Sequence, residues 1–339
     1  STISIFNEAL RLTGLCDSLR QYIDPTYSCG EDSVNQDMVI STGGASYTMR
    51  YVGTRMKRYT AFVETDEVYA ANGIYDLDGL KAHAKQVYDQ MYPTDAGLYD
   101  DDWTNRKNPL NRFISYHLLP YYGAYNDWTV SGDIKNTCAK TDLIDCTDWY
   151  TTMLQGTIMK MSTPSEGLFI NRKGVGVRYT VRGTKVLSPS EIGDVDQQAL
   201  NGIYHYIDQV LDYNQETRDV VFNDRIRVMA ATLSPEFMNC GARGNTERAT
   251  GFKVVEGWDF HGKTPTMTLR KRDVWKVTYA DCIDMVGQFD VTFKLLPVPK
   301  EGTYEVRFGY GWGNMRGKVQ VYFGTDPDGL LPMGLPIDF

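Results

Sequence analysis

The chain has 339 residues, a formal charge of −8 and a pI near 5.1, with 42% hydrophobic and 23% charged residues. That length exceeds what one hydrophobic core usually serves, so two domains are expected, and the composition is that of a folded chain. The acidic balance presents no basic field to a phosphate backbone, which excludes broad nucleic-acid binding, and no run of about 18 apolar residues is present to span a membrane.

Helical spacing opens at Ser4, a residue type able to cap a helix, with Phe6, Ala9 and Leu10 on one face and Leu15 and Leu19 continuing past Gly14. Residues 24–46 are rich in Gly, Ser, Asp and Asn and read as loop. Tyr59 to Val63 reads as a short strand, after which Thr65 or Asp66 caps a helix that stops at Asn72-Gly73. Leu80, Ala84, Val87, Tyr88 and Met91 then recur at helical spacing. An acidic loop over 92–107 leads to Asn108-Pro109, a cap followed by proline in the first helical position, with Leu110, Phe113, Ile114 and His117 forming the buried stripe until Pro120.

The stretch 121–150 is loop-like and aromatic, and strands are expected over 153–161, 167–171, 176–181 and 202–211. A connecting stretch over 217–243 leads into nearly continuous β pattern beyond Gly251. There Phe289, Val291, Phe293 and Leu295 alternate, as do Tyr304, Val306 and Phe308, and Val319, Val321 and Phe323. Alternation of period two implies one covered face per strand, hence an antiparallel sandwich.

Catalytic patterns are sparse. The four histidines, His83, His117, His205 and His261, sit in no zinc-protease or nucleophile motif, and His117 and His205 occupy positions of structural histidines. The glycines at Gly174 and Gly176 and from Gly309 to Gly317 match neither a dinucleotide nor a P-loop pattern and suit hairpins and bulges. Asp101 with Asp102, or Glu64 with Asp66, are the crowded carboxylates that a glycan-cleaving enzyme would need, but a solvated loop and a helix cap account for them. The acids from Asp95 to Asp102 lack the spacing of a calcium loop. The six cysteines, Cys16, Cys29, Cys138, Cys146, Cys240 and Cys282, show no zinc spacing; Cys138 and Cys146 are close enough for a local disulfide, a pairing that the sequence leaves open. No cofactor and no metal are expected. The 23 tyrosines and 6 tryptophans exceed what a core requires, and rings with a polar tip suit wet recognition surfaces.

Three stretches resemble the fasciclin (FAS1) family: Tyr59 to Tyr69, similar to the family's strand-to-helix segment with Val63-Glu64 where Ala-Pro is usual; Leu110 to Leu119, with Tyr116-His117 matching its Tyr-His pair; and Asn201 to Leu211, similar to its closing strand. The resemblance implies an α+β fold, an enlarged fasciclin-type α/β wedge over 1–214 with insertions near 24–56 and 121–150. A connecting segment over 215–250 and a C-terminal antiparallel β-sandwich over 251–339 complete the expected plan. The whole arrangement is similar to two-part fasciclin surface lipoproteins of Bacteroidota nutrient uptake. It implies a non-catalytic protein at the outer-membrane surface, held by a lipid anchor N-terminal to this chain, with a TonB-dependent transporter and its lid lipoprotein as partners and a glycan or peptide as ligand. A stand-alone adhesin and a glycan-cleaving enzyme are the rival expectations. Loops on a rigid scaffold carry binding groups, which points to Tyr121, Tyr122, Tyr125, Trp128 and Trp149 as ligand- or partner-binding residues. Alanine at Trp128 and Trp149 is accordingly expected to weaken binding and leave thermal stability unchanged.

Overall fold

Local sequence signals decide most of the helices. The structure, a computed structural model, describes residues 2–29, 37–42, 45–128, 146–193, 197–243, 249–271, 281–307 and 316–339. Helices α1 (Ser4–Leu12) and α2 (Leu15–Leu19) are separated at Gly14, whose φ of 69° a side chain would resist. The α1 N-terminus is capped from a distance and not by Ser4: the Asp66 carboxylate accepts from the backbone N–H of Ser4 and Ile5 and from the hydroxyls of Thr2 and Ser4. Part of the stretch expected as loop is a hairpin, β1 (Asp37–Thr42) against β2 (Ala45–Tyr51). Its polar composition hides the strand pattern, because pairing to a distant strand supplies the order that local propensity lacks.

Strand β3 (Tyr59–Glu64) runs into α3 (Asp66–Ala71), capped as expected by Thr65, whose Oγ1 accepts from Val68 N–H. Asp76 caps α4 (Leu77–Met91), which buries Leu80, Ala84, Tyr88 and Met91, and Asn108 caps α5 (Pro109–Tyr116) by accepting from Leu110 and Asn111. There follow β4 (Leu118–Leu119), β5 (Cys146–Thr151), β6 (Ile158–Thr163), β7 (Leu168–Ile170), β8 (Lys173–Val175), β9 (Arg178–Val181) and β10 (Thr184–Val186). Then come α6 (Pro189–Ile192), β11 (Gln197–Ala199), β12 (Gly202–Ile207) and α7 (Pro235–Asn239). The last elements are β13 (Ala249–Phe252), β14 (Thr266–Lys271), β15 (Asp281–Val286), and the short β16 (Lys318–Val319), β17 (Tyr322–Phe323), β18 (Leu331–Pro332) and β19 (Ile337–Asp338).

The architecture is mixed α+β. A nearly closed, barrel-like mixed sheet runs β4-β3-β12-β10-β7-β6-β5, with β11 alongside β12 and with β3 and β12 parallel. Its main core gathers Phe6, Leu80, Tyr88, Phe113 and Ile114 from the helices with Phe62, Ile158, Ile170 and Ile207 from the strands. A second, five-stranded sheet runs β1-β2-β13-β14-β15, with β2 and β13 parallel. A smaller core of Val52, Phe237, Phe252, Met267 and Leu269 packs against it.

The C-terminal region departs from the expected sandwich. Strands β13 to β15 share a sheet with β1 and β2, so residues 45–51 and 249–252 pair across the expected boundary. Residues 289–295 form no strand beyond a single bridge of Thr292 to Asp259, and 304–307 form none. Phe308 and Cys138 lie outside the described residues, as does the side chain of Cys146, and with them the Cys138–Cys146 pairing that the sequence leaves open. No helix among the described residues is long and apolar enough to cross a membrane.

Candidate functional site

The five aromatic residues singled out from the sequence divide into two groups. Tyr121, Trp128 and Trp149 are 1%, 1% and 0% exposed. The Trp128 ring meets Tyr150 edge-on at 4.9 Å, with Phe62 at 6.0 Å, and lies so close over Gly123 that a Cβ there would stand 2.2 Å from its Cζ2. Trp149 packs edge-on against Phe222 at 5.2 Å. Tyr121 rests 5.7 Å from Tyr150, and its hydroxyl donates to the Thr151 carbonyl. Rings enclosed in this way present no face to a ligand or partner, so the expectation that alanine at Trp128 and Trp149 leaves stability unchanged does not survive their burial. Large apolar rings in a curled sheet are drawn inward because no other side chain removes as much surface from water.

Tyr122 and Tyr125 remain half-exposed. The Tyr125 hydroxyl accepts from Leu168 N–H, which ties its tip to β7. Tyr122 sits at the centre of an open cluster. Its backbone N–H donates to Asn239 Oδ1 at 2.9 Å, fixing the residue to α7, and its hydroxyl exchanges hydrogen bonds with the exposed Gln198 carboxamide on β11, the Nε2 contact being 3.0 Å. The exposed Arg58 guanidinium stands 5.4 Å over the same ring. A phenol, a guanidinium and a carboxamide, from three segments held by the β11-β12-β3 pairing, can stack on an apolar face and both donate and accept hydrogen bonds. Arg58 and Gln198 carried no signal in the sequence, because only strand pairing places them beside Tyr122.

A second concentration of reactive side chains lies inside the molecule. The Glu64 carboxylate, 0% exposed, accepts from the Tyr69 hydroxyl at 2.9 Å, from Leu211 N–H at 2.9 Å and from His117 Nε2 at 2.8 Å. His117 Nδ1 donates to the Phe113 carbonyl at 2.7 Å. The Phe113 carbonyl can only accept, so Nδ1 of His117 carries a proton. Burial alone would push His117 towards its neutral form, but the charge and hydrogen bond of Glu64, with the Phe113 carbonyl, hold its pKa above the ordinary histidine range. Nearby, His83 is raised by its hydrogen bond to Asp212. Every oxygen and nitrogen of the Glu64–His117 pair is spent on protein partners. The pair is buried and fully hydrogen-bonded, and His205, the second position read from the sequence as structural, is bonded to the Gly123 carbonyl.

Three acids of the loop over 92–107 have local duties. Asp95 is taken by Arg112 and Lys107, Asp100 by Lys85, and Asp102 accepts from Thr104 and Asn105 within its own turn. No group of three or more potential metal-binding side chains occurs among the described residues.

The chain matches no protein-family model and no curated protein.

Proposed function

We propose that this chain is a non-catalytic, surface-exposed lipoprotein of fasciclin type, an accessory component of a TonB-dependent outer-membrane uptake complex that binds a glycan or peptide ligand, the transporter, or both. Three placements support the fasciclin part of the reading. The Thr65-capped helix follows β3 directly, β12 lies parallel to β3 so that the first and third resembling stretches are neighbours, and His117 of the second reaches Glu64 at the end of β3. Fold does not supply function, and the observation that carries the binding role is the open Tyr122–Arg58–Gln198 cluster. Tyrosine and arginine are the residues in which binding energy concentrates at recognition surfaces, and Tyr122 is already held in one geometry by α7 and β11.

The test is calorimetric titration with a panel of oligosaccharides and peptides, followed by the best binder against Tyr122→Ala and Arg58→Ala. The expected result is roughly tenfold weaker binding in each variant with an unchanged melting temperature for Arg58→Ala, whose side chain is exposed. Affinity unaltered in both variants removes the site. Affinity purification from native outer membranes should return a TonB-dependent transporter with its lid lipoprotein, and recovery of this protein alone removes the uptake-complex reading.

A further inference from the structure

Within the open Tyr122 cluster one positive charge is left uncompensated among the described residues. Along the segment that leads into β3, Arg55 is held by Asp24 and Glu236, and Lys57 Nζ meets Glu256 at 3.4 Å. Arg58, the next residue, is exposed and has no carboxylate partner among the described residues; its contact is the stack over the Tyr122 ring. Stacking on a ring uses none of the N–H donors of a guanidinium. The planar fork of Arg58 therefore stays available for an acceptor with two coplanar oxygens, and a carboxylate has that geometry.

The groups beside Arg58 suit sugar hydroxyls. The Gln198 carboxamide, exposed on β11, sets a donor and an acceptor side by side, Nε2 at 3.0 Å and Oε1 at 3.4 Å from the Tyr122 hydroxyl. A sugar hydroxyl both donates and accepts, so two neighbouring hydroxyls match a carboxamide next to a phenol. The half-exposed Tyr122 ring adds an apolar surface for the C–H groups of a pyranose. Carboxylate, adjacent hydroxyls and an apolar ring face occur together on a uronic acid, whereas an acidic peptide supplies the carboxylate without the hydroxyls.

We infer that the Tyr122–Arg58–Gln198 cluster binds acidic glycans, with Arg58 taking a uronate carboxylate while Gln198 and Tyr122 take hydroxyls. The inference rests on the binding role proposed above for this cluster and narrows its ligand. The experiment is calorimetric titration of the chain with tetramers of galacturonate, glucuronate and mannuronate, each beside its neutral carboxyl-reduced counterpart, and with tetraglutamate. At least one uronate tetramer should bind about tenfold or more tightly than its reduced counterpart, the difference that a hydrogen-bonded charge makes. Arg58→Gln should erase that preference, and Gln198→Ala should weaken the acidic and the reduced tetramer alike. A thermal melt of each variant checks that the fold is kept. Equal affinity for acidic and reduced tetramers overturns the inference, as does a preference that survives Arg58→Gln or a tighter hold on tetraglutamate than on every uronate. A reduced tetramer or peptide that binds and is weakened by Tyr122→Ala leaves the binding site standing while its acidic-glycan assignment falls; no binding by any probe overturns both.

Discussion

At the residue scale, the buried pair of Glu64 and His117 is the clearest case of a side chain whose behaviour its partners dictate. His117 has a raised pKa in the folded protein, so its contribution to stability is fully present below the ordinary histidine pKa of about 6.5 and is lost as pH rises through the higher folded value. Each unit of that elevation is worth ~1.4 kcal/mol. Urea unfolding of the wild type should therefore show stability declining as the pH rises above about 6.5, and His117→Gln, which cannot titrate, should lack that part of the decline. Parallel pH profiles for the two proteins would show that folding leaves the titration of the ring unchanged. The same residue marks the reach of sequence reading: the helical stripe located His117 inside, whereas its carboxylate partner comes from a strand 53 residues earlier.

At the scale of elements, β3 and β12 form the parallel joint on which both the buried pair and the open cluster depend. Gly202 lies opposite Tyr59, and a Cβ at Gly202 would stand 2.1 Å from the Tyr59 carbonyl oxygen. Backbone cannot yield there without parting the strands. Gly202→Ala should cost about 1–3 kcal/mol, the usual price of overpacking, with faster amide hydrogen exchange over Ile203–Ile207 than over α4. An unchanged unfolding midpoint would mean that the two strands are held less closely. The helices flanking this joint were legible in advance because their caps are local: Thr65 and Asn108 each bond within three residues. The hairpin of β1 and β2 was not legible, since a strand in polar sequence is ordered by its neighbour, here β13, and not by itself.

At the scale of the whole molecule, a buried charge triad joins the N-terminal and C-terminal portions. Arg55 Nη1 meets Asp24 at 2.9 Å and its Nε meets Glu236 of α7 at 3.0 Å, with the guanidinium stacked 4.6 Å over Tyr27. The Thr26 hydroxyl and Arg55 hold Asp24 well below the usual carboxylate range, while burial pushes Glu236 upward despite its partner. Arg55→Met leaves two carboxylates without their cation and should destabilise the protein by about 3–5 kcal/mol, read from urea unfolding at neutral pH. A loss under about 1 kcal/mol would show that solvent reaches the joint and that the two portions are held by their apolar contacts.

The amino-acid sequence by itself determined the helices from α1 to α5 and the position of β3 and β12, because periodicity, caps and glycine stops act over a few residues. It also named Tyr122 and Tyr125 as binding residues, alongside Tyr121, Trp128 and Trp149, without separating the five by exposure. Tertiary structure alone decided which of those rings face water: Tyr121, Trp128 and Trp149 are enclosed by Tyr150, Phe62, Thr151 and Phe222, from segments whose proximity no local pattern encodes. It likewise decided that the C-terminal strands divide between a shared sheet and an open hairpin. Period two states that a strand has a face to cover, and only the packed chain determines what the cover is.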